Sequence, residues 1–237
     1  MDIPPRSIIL HGPMTQVLNG NGKCLSDCGQ GKGPPNGESP RLHVWMKPMN
    51  TSPIEAIFEE TQALMSGHFL LTSGLHSEKY LQCARVLQWP RHAESCARLL
   101  AEQWAGRKPD LVVSPAIGGI VIGQEVARAL NCRAIFVERE ARTLCLRRGF
   151  EIKPGEKALV VEDVITTGGS TRETMEVVRS CQGIVLGAAS IVDRSGGGAS
   201  LGVGYHSLWT LSIPTYRSED CPLCRSGSIP VKPGSRR

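Results

Sequence analysis

Aromatic side chains are scarce: four Phe, four Trp and three Tyr make up 5% of 237 residues. With aliphatic residues plentiful, that balance fits a parallel sheet covered by helices, whose buried strands favour branched aliphatic side chains. No apolar run approaches the length of a membrane span, and the N-terminus has no signal-peptide hydrophobic core. Excess charge is small as well. A net charge of +5 suits anionic substrates but is too modest and dispersed to argue for nucleic acid. Two common phosphate-binding signatures are missing, the Walker Gly-Lys-Ser/Thr and the dinucleotide Gly-x-Gly-x-x-Gly. No internal repeat or low-complexity tract lies within residues 49–237. Cysteine is the exception to this sparseness. Nine are present, an odd number, and Cys96, Cys132 and Cys181 sit singly inside apolar patterns. That predicts buried free thiols in a reducing cytoplasm rather than a disulfide framework.

Residues 1–48 differ from the rest. They are rich in Gly, Pro and Asn (Asn19 to Gly22, Gly29 to Pro35) without helical or strand period, which predicts a disordered extension, one that could precede a true start at Met49. The segment is neither Arg-rich nor amphipathic, which argues against a transit peptide. A helix should open at Ser52: Ser52 as N-cap, Pro53 at the first helical position and Glu55 closing a capping box. Ile54, Ile57, Phe58, Thr61, Leu64 and Met65 then recur at helical spacing. Further on the chain alternates. Strands are expected at Asp110–Ser114, Ala134–Val137, the run ending at Glu162–Asp163, and Ile184–Val192, with helices between them. Such alternation implies an α/β fold with a doubly wound parallel sheet and ligands at the carboxyl ends of its strands.

Residues Ala158 to Thr171 carry the strongest chemical signal. An apolar run ends in Glu162 and Asp163, passes through Val164 and Ile165, and enters Thr166, Thr167, Gly168, Gly169, Ser170 and Thr171 ahead of a helix. A helix N-terminus leaves N–H groups unpaired and carries partial positive charge, so a small-residue loop there cradles a phosphate. Gly168 and Gly169 let the backbone come close, and the hydroxyls add donors. The two acids would repel a phosphate, so they are expected to accept hydrogen bonds from sugar hydroxyls or to face a cation. A loop that takes both a phosphate and a diol takes a phosphorylated sugar.

This pattern resembles the phosphoribosyl-diphosphate (PRPP) signature of the type I phosphoribosyltransferases. The resemblance implies that family's fold, a parallel doubly wound sheet with a small N-terminal hood. It makes Ser114 to Gly119 the pyrophosphate loop, and Glu138 to Gly149 a lid whose cations reach the diphosphate. Arg139 carries over as a catalytic and PRPP-binding residue beside Glu162 and Asp163. Many members hold lysines and a histidine in the lid where this chain has Arg142, Arg147 and Arg148, and which of the three substitutes is open. Gly67 to Tyr80, a hairpin with Ser73-Gly74 near its turn, is similar to the hood of the orotate phosphoribosyltransferases. With it go Arg194, placed past a strand end where a guanidinium can pair with a carboxylate, and Thr166 as a second orotate contact. The likeness covers residues 52–237, including Cys221-Pro-Leu-Cys224 and Lys232 to Ser235.

The implied reaction is transfer of ribose 5-phosphate from PRPP to orotate, with Mg2+ on the diphosphate, in a homodimer without nucleic-acid or membrane partners. A transferase for another base shares the PRPP loop but not the need for Arg194. A PRPP-sensing regulator would want a nucleic-acid surface, and none is visible. No protein metal site is predicted. Cys221 and Cys224 lack a second pair except Cys24 and Cys28 in the leader, so they are expected reduced and unliganded. His68 and His76 are expected as hairpin surface or packing residues.

Overall fold

The computed structural model describes residues 52–233; the expectations for residues 1–48, Cys24 and Cys28 included, lie outside them. Helix α1 (Pro53–Glu60) begins as its sequence predicts. The Ser52 hydroxyl accepts from the Glu55 N–H at 3.2 Å, and the Glu55 carboxylate accepts from the Ser52 N–H at 2.9 Å. The expected helical period runs too far, however, because the chain turns at Gln62 with φ 52°. Leu64 and Met65 therefore belong to β1 (Leu64–Leu70), which pairs antiparallel with β2 (His76–Leu81). Gly74, with φ 84°, makes the tip between them, a conformation that costs glycine little. This two-stranded hairpin is the hood.

Helices α2 (Ala84–Leu87) and α3 (Pro90–Trp104) lead into the main sheet. Its elements are β3 (Leu111–Pro115), α4 (Gly118–Leu130), β4 (Arg133–Glu140), β5 (Thr143–Leu146), β6 (Lys157–Ile165), α5 (Gly169–Ser180), β7 (Ile184–Asp193) and β8 (Tyr205–Thr210). The strand order is β5-β4-β3-β6-β7-β8. All neighbours are parallel except β5, which folds back on β4 as an antiparallel edge. Alternation along the strands splits the core. Val112, Leu159 and Val161 pack with Leu100, Trp104, Ile122 and Val126 on one face. Leu111, Val113 and Ala158 pack with Val178 of α5 on the other. Both faces are covered, which is why the central strands are continuously apolar. Phe58 of α1 meets Trp209 of β8 edge-on at 5.1 Å. Because β3, β6 and β7 run parallel, their carboxyl ends bring Ala116–Gly119, Thr166–Gly168 and Arg194–Leu201 to one edge.

Candidate active site

The loop after β6 places a glycine-capped helix N-terminus at the sheet edge. Gly168 caps α5 with φ 73° and ψ 14°. The first helical acceptor is its carbonyl, which takes the Arg172 N–H at 2.9 Å, so the N–H groups of Gly169, Ser170 and Thr171 precede any intrahelical partner. A Cβ at Gly168 would meet Leu201 at 2.5 Å. Arg172 ties this loop to the next, donating through Nη1 to the Thr167 and Ser200 carbonyls, each at 2.9 Å.

Glu162 and Asp163 lie near the carboxyl end of β6, half-buried. Thr171 Oγ1 donates to Glu162 Oε2. Burial lifts the Glu162 carboxyl to about 7; the Thr171 hydrogen bond opposes the shift and the Asp163 charge adds to it. Asp163 is also raised by burial, against hydrogen bonds from the Val164 and Asp163 backbone. Neither acid has a cationic partner among the described residues. Asp163 reaches the loop after β3: a Cβ on Gly118 would stand 2.7 Å from both of its carboxylate oxygens. Only glycine lets that backbone approach the acid. Val164 and Ile165 end β6 and lead into the loop. Ile165 is fully buried against Met175 and Leu201, Val164 packs on the opposite core, and the Ile165 carbonyl accepts from the Arg194 N–H at 2.8 Å. Their side chains anchor the start of the loop to the core.

A cavity of about 660 Å³ joins three parts of the chain. Thr166 and Thr167 form one wall, Arg194, Ser195, Gly198 and Ala199 another, and Leu71, Ser73 and Leu75 of the hood stand opposite with Ile213 and Thr215. The sequence motifs missed the residue that organises the second wall. Buried Asp193 accepts from Ser195 N–H (2.7 Å), Ser195 Oγ (2.6 Å), Gly197 N–H (3.0 Å) and Tyr205 Oη (2.8 Å). Burial pushes Asp193 up, but these donors outweigh it and hold its carboxyl below the ordinary value. The Asp-x-Ser-Gly spacing was the available signal, since Asp readily bonds backbone two residues on. Ile213 and Thr215 had none.

The segment expected as the lid forms the β4–β5 hairpin. Arg139 donates to the Arg142 carbonyl at 2.7 Å and pairs with Glu173 of α5 at 2.9 Å. Arg148 makes two bonds to Glu138, at 2.7 and 2.8 Å, and lies over Phe136. Arg147 is 3.9 Å from Glu140. Arg142, exposed at the tip, is the lid guanidinium with no carboxylate partner among the described residues.

A helix-capped phosphate cradle, two strand-end acids and a hood over a doubly wound sheet together define a phosphoribosyltransferase. The family model for the phosphoribosyl transferase domain matches residues 82–200. An orotate phosphoribosyltransferase of Caldicellulosiruptor bescii is 53% identical over 189 residues, 80% of this chain and 100% of that protein. One from Pelotomaculum thermopropionicum is 54% identical over the same shares. The solved orotate phosphoribosyltransferase of Aeropyrum pernix, 27% identical, superposes with a TM-score of 0.54 over 66% of this chain and 92% of its own. The Mycobacterium tuberculosis H37Rv enzyme in complex with PRPP is 25% identical, with a TM-score of 0.52 over 69% and 92%. The chain belongs to the orotate phosphoribosyltransferase family. No helix among the described residues is long and apolar enough to cross a membrane.

Proposed function

We propose that this chain transfers the ribose 5-phosphate of PRPP to orotate, releasing diphosphate and orotidine 5′-monophosphate, in pyrimidine biosynthesis. One observation carries the proposal: the single cavity that joins the phosphate loop, Arg194 and the hood. Thr166 to Thr171 would hold the 5′-phosphate, so that remote binding energy aligns the anomeric carbon. Glu162 and Asp163 would accept from the ribose hydroxyls, and their field would favour an oxocarbenium-like transition state. Arg194 would pair with the orotate carboxylate while Leu71 and Leu75 cover the ring. Orotate is already anionic, so no general base is assigned. Arg142, reaching over with Arg139, would close on the diphosphate and exclude water.

Two desolvated carboxyls with raised pKa, and with no cation beside them among the described residues, fit Mg2+, a hard ion that prefers oxygen donors. It would arrive on the diphosphate with Glu162 and Asp163 facing it, and its chemistry is charge neutralisation of the leaving group. The family resemblance supports a homodimer, which light scattering on the eluting species would test. Free thiols at Cys83, Cys96, Cys132, Cys145 and Cys181 support a cytoplasmic setting.

The deciding assay mixes purified protein, PRPP, Mg2+ and one base at a time, and follows orotate absorbance beside uracil, adenine and hypoxanthine. Orotate alone should be consumed. Turnover of another base instead would overturn the base assignment and leave the PRPP site intact. Arg194→Ala should raise KM for orotate more than KM for PRPP; equal changes would remove the carboxylate contact.

A further inference from the structure

The mechanism leaves two hairpin histidines and two C-terminal cysteines unused, and the fold gathers all four. His68 lies on β1 and His76 on β2. Cys221 precedes and Cys224 lies within α6 (Pro222–Arg225). One ligand atom from each falls within 4.8 Å of the others. His68 Nε2 is 2.9 Å from His76 Nδ1, 3.5 Å from Cys221 Sγ and 3.8 Å from Cys224 Sγ. Cys224 Sγ is 3.3 Å from His76 Nδ1. Tetrahedral zinc, with bonds of about 2.0–2.1 Å to nitrogen and about 2.3 Å to sulfur, spaces its ligand atoms roughly 3.3–3.8 Å apart. The observed separations overlap that range.

The surroundings suit a closed site. His68, His76 and Cys221 are 7%, 6% and 0% exposed, so these groups have left water and need partners. His68 Nδ1 is 3.0 Å from the Ser228 carbonyl. A carbonyl only accepts, so Nδ1 carries the ring proton and Nε2 turns a lone pair into the cluster. That is how ligating imidazoles are oriented. Hydrogen bonding alone serves the four poorly, because sulfur is a weak donor and a weak acceptor.

We propose that His68 Nε2, His76 Nδ1, Cys221 Sγ and Cys224 Sγ bind a structural Zn2+ that clamps the hood to the C-terminal segment. Four protein ligands leave no open coordination position, which makes the site structural, and thiolate with imidazole selects zinc over magnesium. The backbone is paired at the same residues. The Val231 N–H donates to the His68 carbonyl at 2.8 Å, and His76 exchanges bonds with Tyr216 at 2.8 and 2.9 Å. An isolated two-stranded hairpin is marginal in water, so the ion would add a cross-link to this backbone pairing. Leu71 and Leu75 of the hood and Ile213 and Thr215 of the C-terminal segment face one cavity. The clamp thus sets the shape of the base pocket from outside it.

The test is elemental analysis of the full chain, purified under reducing conditions without chelator or immobilised metal. Zinc should approach one equivalent per chain and vanish in the Cys221→Ser/Cys224→Ser double variant. Protein produced with Co2+ in place of zinc should show intense tetrahedral ligand-field bands and a sulfur-to-cobalt charge-transfer band, both bleached by added Zn2+. If the double variant does not fold, the wild-type cobalt spectrum decides. Wild-type protein with no zinc and no thiolate–cobalt band overturns the site, as does zinc held equally by the double variant. These readouts do not depend on catalysis, so the site and the transferase assignment fail separately.

Discussion

Glu162→Gln should make the free protein more stable above neutral pH and less active. Burial holds the folded Glu162 carboxyl at about 7, against an ordinary value of 4.5. The folded state therefore binds this proton more tightly than the unfolded chain does. The associated stability is fully present below pH 4.5 and is lost as pH rises through about 7. A difference of this size corresponds to roughly 3 kcal/mol at the alkaline limit, since each pKa unit is about 1.4 kcal/mol. In a domain of this length, that translates to a Tm change on the order of 6–12 °C. Glutamine keeps an oxygen to accept from Thr171 and removes the charge. Melting curves of both proteins, without ligands, from about pH 5 to about pH 9, should diverge through neutrality, with wild type falling below the variant. The gap should close when PRPP and Mg2+ are added, because these stabilise the ionised carboxylate of wild type. Parallel Tm–pH curves would refute the reasoning, since they would mean that Glu162 titrates alike folded and unfolded.

Three further outcomes are expected. Asp163→Asn should lower kcat by about 100–1,000-fold with the fold intact, as read by steady-state kinetics and circular dichroism; near wild-type turnover would take Asp163 out of the mechanism. Arg142→Ala should reduce kcat/KM for PRPP on the order of 100-fold, whereas Arg148→Ala, whose guanidinium is already committed to Glu138, should leave turnover close to wild type; the reverse order would reassign the lid. Gly118→Ala would set a Cβ 2.7 Å from the Asp163 oxygens, displacing one loop from the other, and should cost roughly 100-fold in turnover. An unchanged rate in Gly118→Ala would show that the two loops move independently.

What the sequence determined by itself was local. The capping box of Ser52 and Glu55, the glycine tip of the hood and the strand–acid–glycine–helix run from Ala158 to Thr171 each depend on neighbours a few residues away. Their geometry follows from backbone rules that hold in any fold. The alternation of strands and helices likewise implied the doubly wound sheet, and with it the common edge where the loops meet. Its antiparallel edge strand β5 was not marked as a strand within the Glu138 to Gly149 segment, because four residues carry too little period. Tertiary structure decided the rest. Asp193 became an organiser only when Tyr205, on the next strand, reached its carboxylate. Arg139 met Glu173 of α5, an ion pair across 34 residues of chain that no local pattern encodes. Glu162 acquired its raised pKa through burial that no motif encodes. His68, His76, Cys221 and Cys224 stand up to 156 residues apart in the chain, and only the pairing of the hood with the C-terminal segment brings them within reach of one ion. Propensity and capping act over one turn, whereas desolvation and ligand geometry depend on which distant surfaces the folded core presses together.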